Sequence, residues 1–95
     1  MKDDKDKDRI DLLPIDPLFD IAKVFEFGAN KYEANSWKTD IEFSRVYSSI
    51  MRHMMSWKNG RSIDPESGLN HVAHAGAQIM ILLQYIRDRE YMDDR

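Results

Sequence analysis

The apolar positions of this chain recur at helical spacing, and no stretch alternates as a strand would. Leu18, Ala22, Phe25, Ala29 and Tyr32 form one stripe, with Lys23, Glu26, Asn30 and Glu33 as a polar line beside it. This pattern predicts a first helix opening at Asp16-Pro17, with the aspartate as N-cap and proline in the first helical position, and ending near residues 33–36. Phe43, Val46, Tyr47, Ile50, Met54 and Trp57 predict a second helix from Ile41 to Asn59, with Arg45, Ser49, Arg52 and Ser56 opposite. Asn59-Gly60 is its stop signal. A third helix is predicted from Gly68 to beyond Arg87. Its second half is apolar on nearly every side, which predicts a central, most buried element. Ala73, Ala75, Gly76 and Ala77 are small enough to let another helix come close.

The connectors are ANSWKTD and RSIDPESG. The first nine residues read as a charged, solvated tail, since KDDKDKDR at 2–9 has nothing to bury. Residues 10–90 read as one helical domain and 91–95 as a charged end, with RDREYMDDR expected to fray. The expected fold is all-α: three helices in a bundle. Three helices of a 95-residue chain bury little alone, so a homodimer or tetramer is expected to complete the bundle.

Composition narrows the chemistry. A net charge of −3 argues against direct binding of DNA or RNA, which wants a basic stripe. There is no cysteine, which removes disulfides, thiolate metal sites and cysteine nucleophiles. The charged N-terminus does not read as a secretory signal, and IMILL at 79–83 is too short to span a bilayer. A soluble cytoplasmic protein with no membrane partner is expected.

The chemistry concentrates in DPESGLNHVAHA at 64–75. His71 and His74 are one turn apart on one helix face, where they can share a metal, contact phosphate, or bond neighbouring helices as core polar groups. Asp64 and Glu66 read as a turn and N-cap. A cap explains one acid but not both, and the pair can also hold a divalent cation. Arg52 suits a phosphate clamp or a solvated face, and His53 follows it near the apolar stripe. Glu26, on the polar line of the first helix, is the kind of carboxylate that builds magnesium or manganese sites in helical bundles. Tyr32 and Trp37 can stack on a base or fill the core.

Together the segments KDKDRIDLLP, FEFGANKYEANSWK, RHMMSWKNG and DPESGLNHVAHA resemble the phage-type dATP/dGTP diphosphohydrolase N-terminal domain family, a small all-helical group similar to MazG-type nucleotide pyrophosphohydrolases. The resemblance covers residues 5–86. It implies metal-dependent hydrolysis of a purine deoxynucleoside triphosphate (dGTP or dATP) to monophosphate and pyrophosphate, with Mg2+ or Mn2+ as cofactor. Carried over by position, it implies Glu26, Asp64 and Glu66 on the metal and His53 beside them in catalysis. It implies Lys7, Arg9, Lys31, Tyr32, Asn35, Trp37, Arg52, His71 and His74 on the nucleotide and its phosphates. The chain has no EExxE motif of the MazG type, and the family has a small residue where Glu33 stands. A second expectation follows from the missing motif: a non-catalytic phage protein that sequesters a nucleotide or cyclic-nucleotide immune signal. An oligomeric scaffold is the third class, and it leaves the polar pattern unexplained.

Overall fold

A computed structural model describes residues 7–95. The acidic and basic run at 1–6 lies outside the described residues, and most of the tail expected over 1–9 lies there with it. The described chain is all-α. Helix α1 spans Ile15–Lys31, α2 Phe43–Lys58 and α3 His71–Asp88, with short 3-10 turns at Ile10–Leu12, Ser36–Lys38 and Glu90–Met92. Helix α3 is central: it packs most extensively on α2 and also on α1, which scarcely touch each other.

Local chemistry sets the helix ends. Helix α1 begins one residue before the expected cap. Pro14 occupies the N-cap position and Asp16 lies in the first turn. There its charge suits the positive end of the helix dipole. Pro17 falls third in the helix, where its missing N–H is one of those a helix leaves unpaired anyway. The chain leaves α1 at Tyr32 and turns through Asn35 in the left-handed region, at φ 62°, a conformation asparagine tolerates. Helix α2 stops at Asn59-Gly60 as expected. Gly60, at φ 89°, donates to the Trp57 carbonyl and Arg61 to the Ser56 carbonyl, the paired bonds of a Schellman motif.

Helix α3 corrects the sequence reading of its start. It begins at His71, and its cap is Asn70, whose side-chain oxygen accepts the Val72 N–H at 2.7 Å. Asp64 closes a separate loop instead. It accepts the Ser67 N–H at 2.9 Å, while its own N–H bonds the Leu69 carbonyl and its carbonyl accepts from Gly68, each at 2.8 Å. Beyond this, Ile63 bridges Asn70 and His71 N–H donates to Ser62 O at 2.9 Å. The 62–71 loop is thus pinned at both of its ends.

The main core cluster is Phe43, Val46 and Tyr85, with Trp37, Ile41, Ile50, Ile81, Leu82 and Met92 against it. Tyr47 and Trp57, placed on the inward stripe from sequence, are exposed. On α1 the stripe is rotated: Val24 is buried and Ile21 partly so, while Leu18, Ala22 and Tyr32 are exposed. The helix is apolar on more than one side, so its spacing alone does not choose the face. Ile21 lies on Gly76 of α3, where an added Cβ would meet its side chain at 3.1 Å. This is the close approach that the small residues of α3 permit. The first half of α3 is more buried than its second. His71, His74, Ala75 and Ala77 are enclosed, while Ile79, Met80, Leu83 and Ile86 remain exposed.

The C-terminal segment does not fray. Arg89 donates to Asp40 and to the Lys38 carbonyl, Tyr91 bonds Asp40, and Asp94 accepts the Ser44 N–H at 2.9 Å in the first turn of α2. Asp94 thereby supplies the cap that Glu42 does not.

Tyr85 has no exposed surface, and its hydroxyl lies 2.6 Å from both the Trp37 and Thr39 carbonyls. The single hydroxyl proton is shared between these two carbonyls, and its loss in Tyr85→Phe is expected to cost about 1–3 kcal/mol. Tyr85→Ala adds a cavity, for a total of about 3–5 kcal/mol. Urea unfolding followed by circular dichroism measures both.

Candidate functional site

A cavity of about 680 Å³ opens between the C-terminal half of α1, the 32–41 connector, the 62–70 loop and the facing sides of α2 and α3. The structure brings eight of the sequence-predicted residues to its lining. Lys31, Tyr32, Asn35 and Trp37 form one wall, and His53, Asp64, Glu66 and His74 form the floor. His71 is buried directly behind His53.

Four predicted residues are elsewhere. Glu26 is exposed and does not line the cavity. It is two residues from both Val24 and Gly28, which do line it, and so lies roughly on the opposite side of α1. Glu26, Asp64 and Glu66 therefore do not converge as a carboxylate cluster within this chain. Arg52 is exposed and donates to Ser48 Oγ at 2.9 Å. Arg9 is held by Asp11 through two hydrogen bonds of 2.9 and 2.8 Å, and Lys7 is exposed. Neither approaches the cavity lining.

Residues outside the predicted set complete it. Phe27 meets the His74 ring edge-on, with centroids 6.3 Å apart. Gln78, one turn after His74, lines the wall, as does Tyr85; both continue the α3 face of His71 and His74. Glu33 also reaches the lining. Ser67 is the less visible contributor: its Oγ lies 2.6 Å from His74 Nε2 and accepts the Leu69 N–H. Its position three residues after Asp64, in a turn that Asp64 closes, was the available signal.

The floor is a cluster of three histidines and one carboxylate. His53 and His74 stack almost parallel, 4.6 Å between centroids and 7° between planes. His53 Nδ1 faces His71 Nδ1 at 2.9 Å, so one of these nitrogens carries a proton and the other is bare. Asp64 Oδ2 lies 3.8 Å from His74 Nε2. Burial, then the neighbouring imidazoles, push His53 below the usual histidine range. Burial also lowers His74, against an opposing pull from Asp64. Burial alone would raise Asp64, but the hydrogen bonds from Ser67 and the charges of His74 and His53 outweigh it and hold the carboxyl below its ordinary value. Near neutral pH, His53 and His74 are therefore biased to the neutral form beside an ionised Asp64.

The mouth is ionic and aromatic. Lys31 Nζ bonds Glu66 Oε2 at 2.7 Å, joining α1 to the 62–71 loop. The same ammonium lies 5.0 Å from the Tyr32 ring centroid and 6.0 Å from that of Phe27. A cation held over rings beside an exposed acid can exchange that acid for a phosphate oxygen.

The histidine shifts set the direction of pH dependence. In metal-free protein, the unfolded chain takes up protons near pH 6.5, while folded His53 and His74 take them up only at lower pH. Their contribution to stability is present above 6.5 and is lost as pH falls towards their folded values. The melting temperature is expected to fall between about pH 7.5 and about pH 5.5, and His74→Gln to flatten that slope. Scanning calorimetry across this range is the check.

The family model described as "dATP/dGTP diphosphohydrolase, N-terminal" matches residues 1–95. A protein of Salmonella phage PMBT28 named "dATP/dGTP diphosphohydrolase" is 30% identical over 92 residues, which are 95% of this chain and 31% of that protein. The chain thus spans about a third of that relative's length. No solved structure matches it. The chain belongs to the dATP/dGTP diphosphohydrolase N-terminal family.

Proposed function

We propose that this domain binds a purine deoxynucleoside triphosphate and hydrolyses it to monophosphate and pyrophosphate with a divalent cation. The observation that carries the reading is the cavity itself, which joins an aromatic wall, a lysine at the mouth and a histidine–aspartate floor in one space. The name of the phage relative supports the substrate class. Tyr32 and Trp37 are suited to stack on the base, and the Gln78 amide to bond its polar edge. Lys31 releases Glu66 and takes a phosphate oxygen. Asp64, with the histidines around it, fits a divalent cation in donor chemistry, since its carboxylate is ionised and imidazole nitrogens adjoin it. Such an ion neutralises phosphate charge and lowers the pKa of bound water. His74 and Ser67 hold Asp64 in place. Glu26, Arg52, Lys7 and Arg9 are outside the proposed set.

A second copy of the chain is part of this reading. Ile79, Leu83 and Ile86 recur along one exposed face of α3, and Leu18 and Phe19 are exposed on α1. A surface this apolar on a small bundle suits burial in a homodimer or tetramer. Among the described residues no helix is long and apolar enough to cross a membrane. Action on a nucleotide pool places the protein in the cytoplasm of an infected cell.

Incubation of purified protein with dATP or dGTP and Mg2+ or Mn2+ is expected to give monophosphate and pyrophosphate by chromatography. Asp64→Asn is expected to lower kcat/KM by roughly a hundredfold. Lys31→Ala is expected to raise KM by roughly ten- to a hundredfold, the scale of a lost charged hydrogen bond. Glu26→Ala is expected to leave both parameters within about twofold. Nucleotide that is retained and recovered intact, with no product under Mg2+, Mn2+, Co2+ or Zn2+, overturns hydrolysis and assigns sequestration instead. Sedimentation is expected to show a dimer or tetramer, which Leu83→Asp dissociates. A monomer for the parent chain overturns the assembly.

A further inference from the structure

The floor of the cavity carries more than a place for magnesium. His53, Asp64 and His71 each offer one ligand atom, and these atoms lie within 4.8 Å of one another. The three residues come from α2, from the 62–71 loop and from the first turn of α3. One pair of candidate donor atoms is already close to coordination spacing. The Nδ1 atoms of His53 and His71 are 2.9 Å apart, and two nitrogens sharing one cation at about 2.0–2.1 Å are separated by about 3–3.4 Å. A hydrogen bond between the rings accounts for that contact when no metal is bound. It does not account for a carboxylate oxygen within reach of both.

We infer that His53, Asp64 and His71 form a binding site for one divalent transition-metal ion of the zinc or cobalt type, in preference to magnesium. The ligand chemistry decides the class. Imidazole nitrogen suits zinc, copper, nickel and iron, whereas magnesium demands oxygen ligands in an octahedron. Here two of the three donors are imidazoles and one is a carboxylate. Two histidines and one acid, with a further position left for water, are also a common catalytic zinc set.

The surroundings are those of a supported site. Asp64 is fixed by backbone bonds to Leu69 and Gly68, and its Oδ2 accepts the Ser67 N–H. His71 is fixed by its N–H bond to Ser62 O and is buried. His53 is clamped by the parallel ring of His74, and His74 is held in turn by Ser67. Partners of this kind orient ligands and tune the metal. His53 and Asp64 also line the cavity, so an ion between them has one side open to water or a phosphate. His74 takes part as an orienting neighbour.

The inference deepens the hydrolase reading by specifying its cation, but binding is measured without nucleotide. The full chain is stripped with a chelator and titrated with Co2+, Zn2+ and Mg2+. Bound Co2+ is read by its visible absorption, Zn2+ by calorimetry and by the rise in melting temperature. One Co2+ or Zn2+ per chain is expected, bound at least roughly 100-fold more tightly than Mg2+. Asp64→Asn and His53→Gln are each expected to weaken Zn2+ binding by roughly tenfold or more. Glu26→Ala is expected to bind as the parent does. Far-UV circular dichroism identifies any variant that fails to fold, and the folded one of the two ligand variants then decides. An unchanged aqueous Co2+ spectrum, Mg2+ bound as tightly as Zn2+, or a folded ligand variant that binds like the parent overturns the site. Turnover with Mg2+ but no Zn2+ or Co2+ uptake removes this inference and leaves hydrolysis standing. Tight Zn2+ binding without turnover does the reverse.

Discussion

The hydroxyl of Tyr85 reaches the carbonyls of Trp37 and Thr39 from within α3, and through them holds the connector that joins α1 to α2. That connector is a wall of the cavity. Arg89, the C-cap of α3, adds a second tie to the Ser36–Lys38 turn at the Lys38 carbonyl. The Tyr85 ring also stacks on Phe43, with 6.4 Å between centroids, so the same residue ties the start of α2 to α3. The C-terminal segment strengthens the arrangement from outside, since Arg89 and Tyr91 converge on Asp40 and Asp94 caps α2. One buried hydroxyl and its neighbours thus tie the connector that walls the cavity to α3.

The other constraint is the placement of polar rings inside a small core. His71 and His74 are buried in a chain that fully encloses few large side chains. Unpaired, such groups would destabilise the fold, since burying a polar atom without a partner costs free energy. Each is paired instead: His71 with His53, and His74 with Ser67. No buried side-chain polar atom among the described residues lacks a partner. Burial disfavours the protonated forms of His53 and His74, while the bonds from Ser67 favour the ionised form of Asp64.

The proposed nucleotide chemistry draws on two separate observations, membership in the diphosphohydrolase N-terminal family and the lining of the cavity. They differ on which acids matter. Position-by-position carry-over favours Glu26, whereas the fold turns Glu26 away and gathers histidines around Asp64. The absence of an EExxE motif fits this arrangement, because a site with two imidazoles has less need of carboxylates. The chain spans about a third of the length of its phage relative.

Apolar spacing was enough to read three helices, the Asn59-Gly60 stop, the close-packing small residues of α3 and the concentration of chemistry at 64–75. These are local properties: a side chain's place in a helical turn and a glycine's access to positive φ depend on near neighbours alone. The face that α1 turns inward, the choice of Asn70 over the DPES segment as the cap of α3, and the capping of α2 by Asp94 were decided only by the tertiary structure. So were the exclusion of Glu26 and the meeting of His53, Asp64 and His71. The reason is that an apolar, nearly two-sided helix such as α1 has several acceptable faces, and packing against α3 at Gly76 selects one. Residues 35 to 50 positions apart then meet, as Lys31 meets Glu66 and Ser44 meets Asp94, and no periodicity within either segment encodes that encounter.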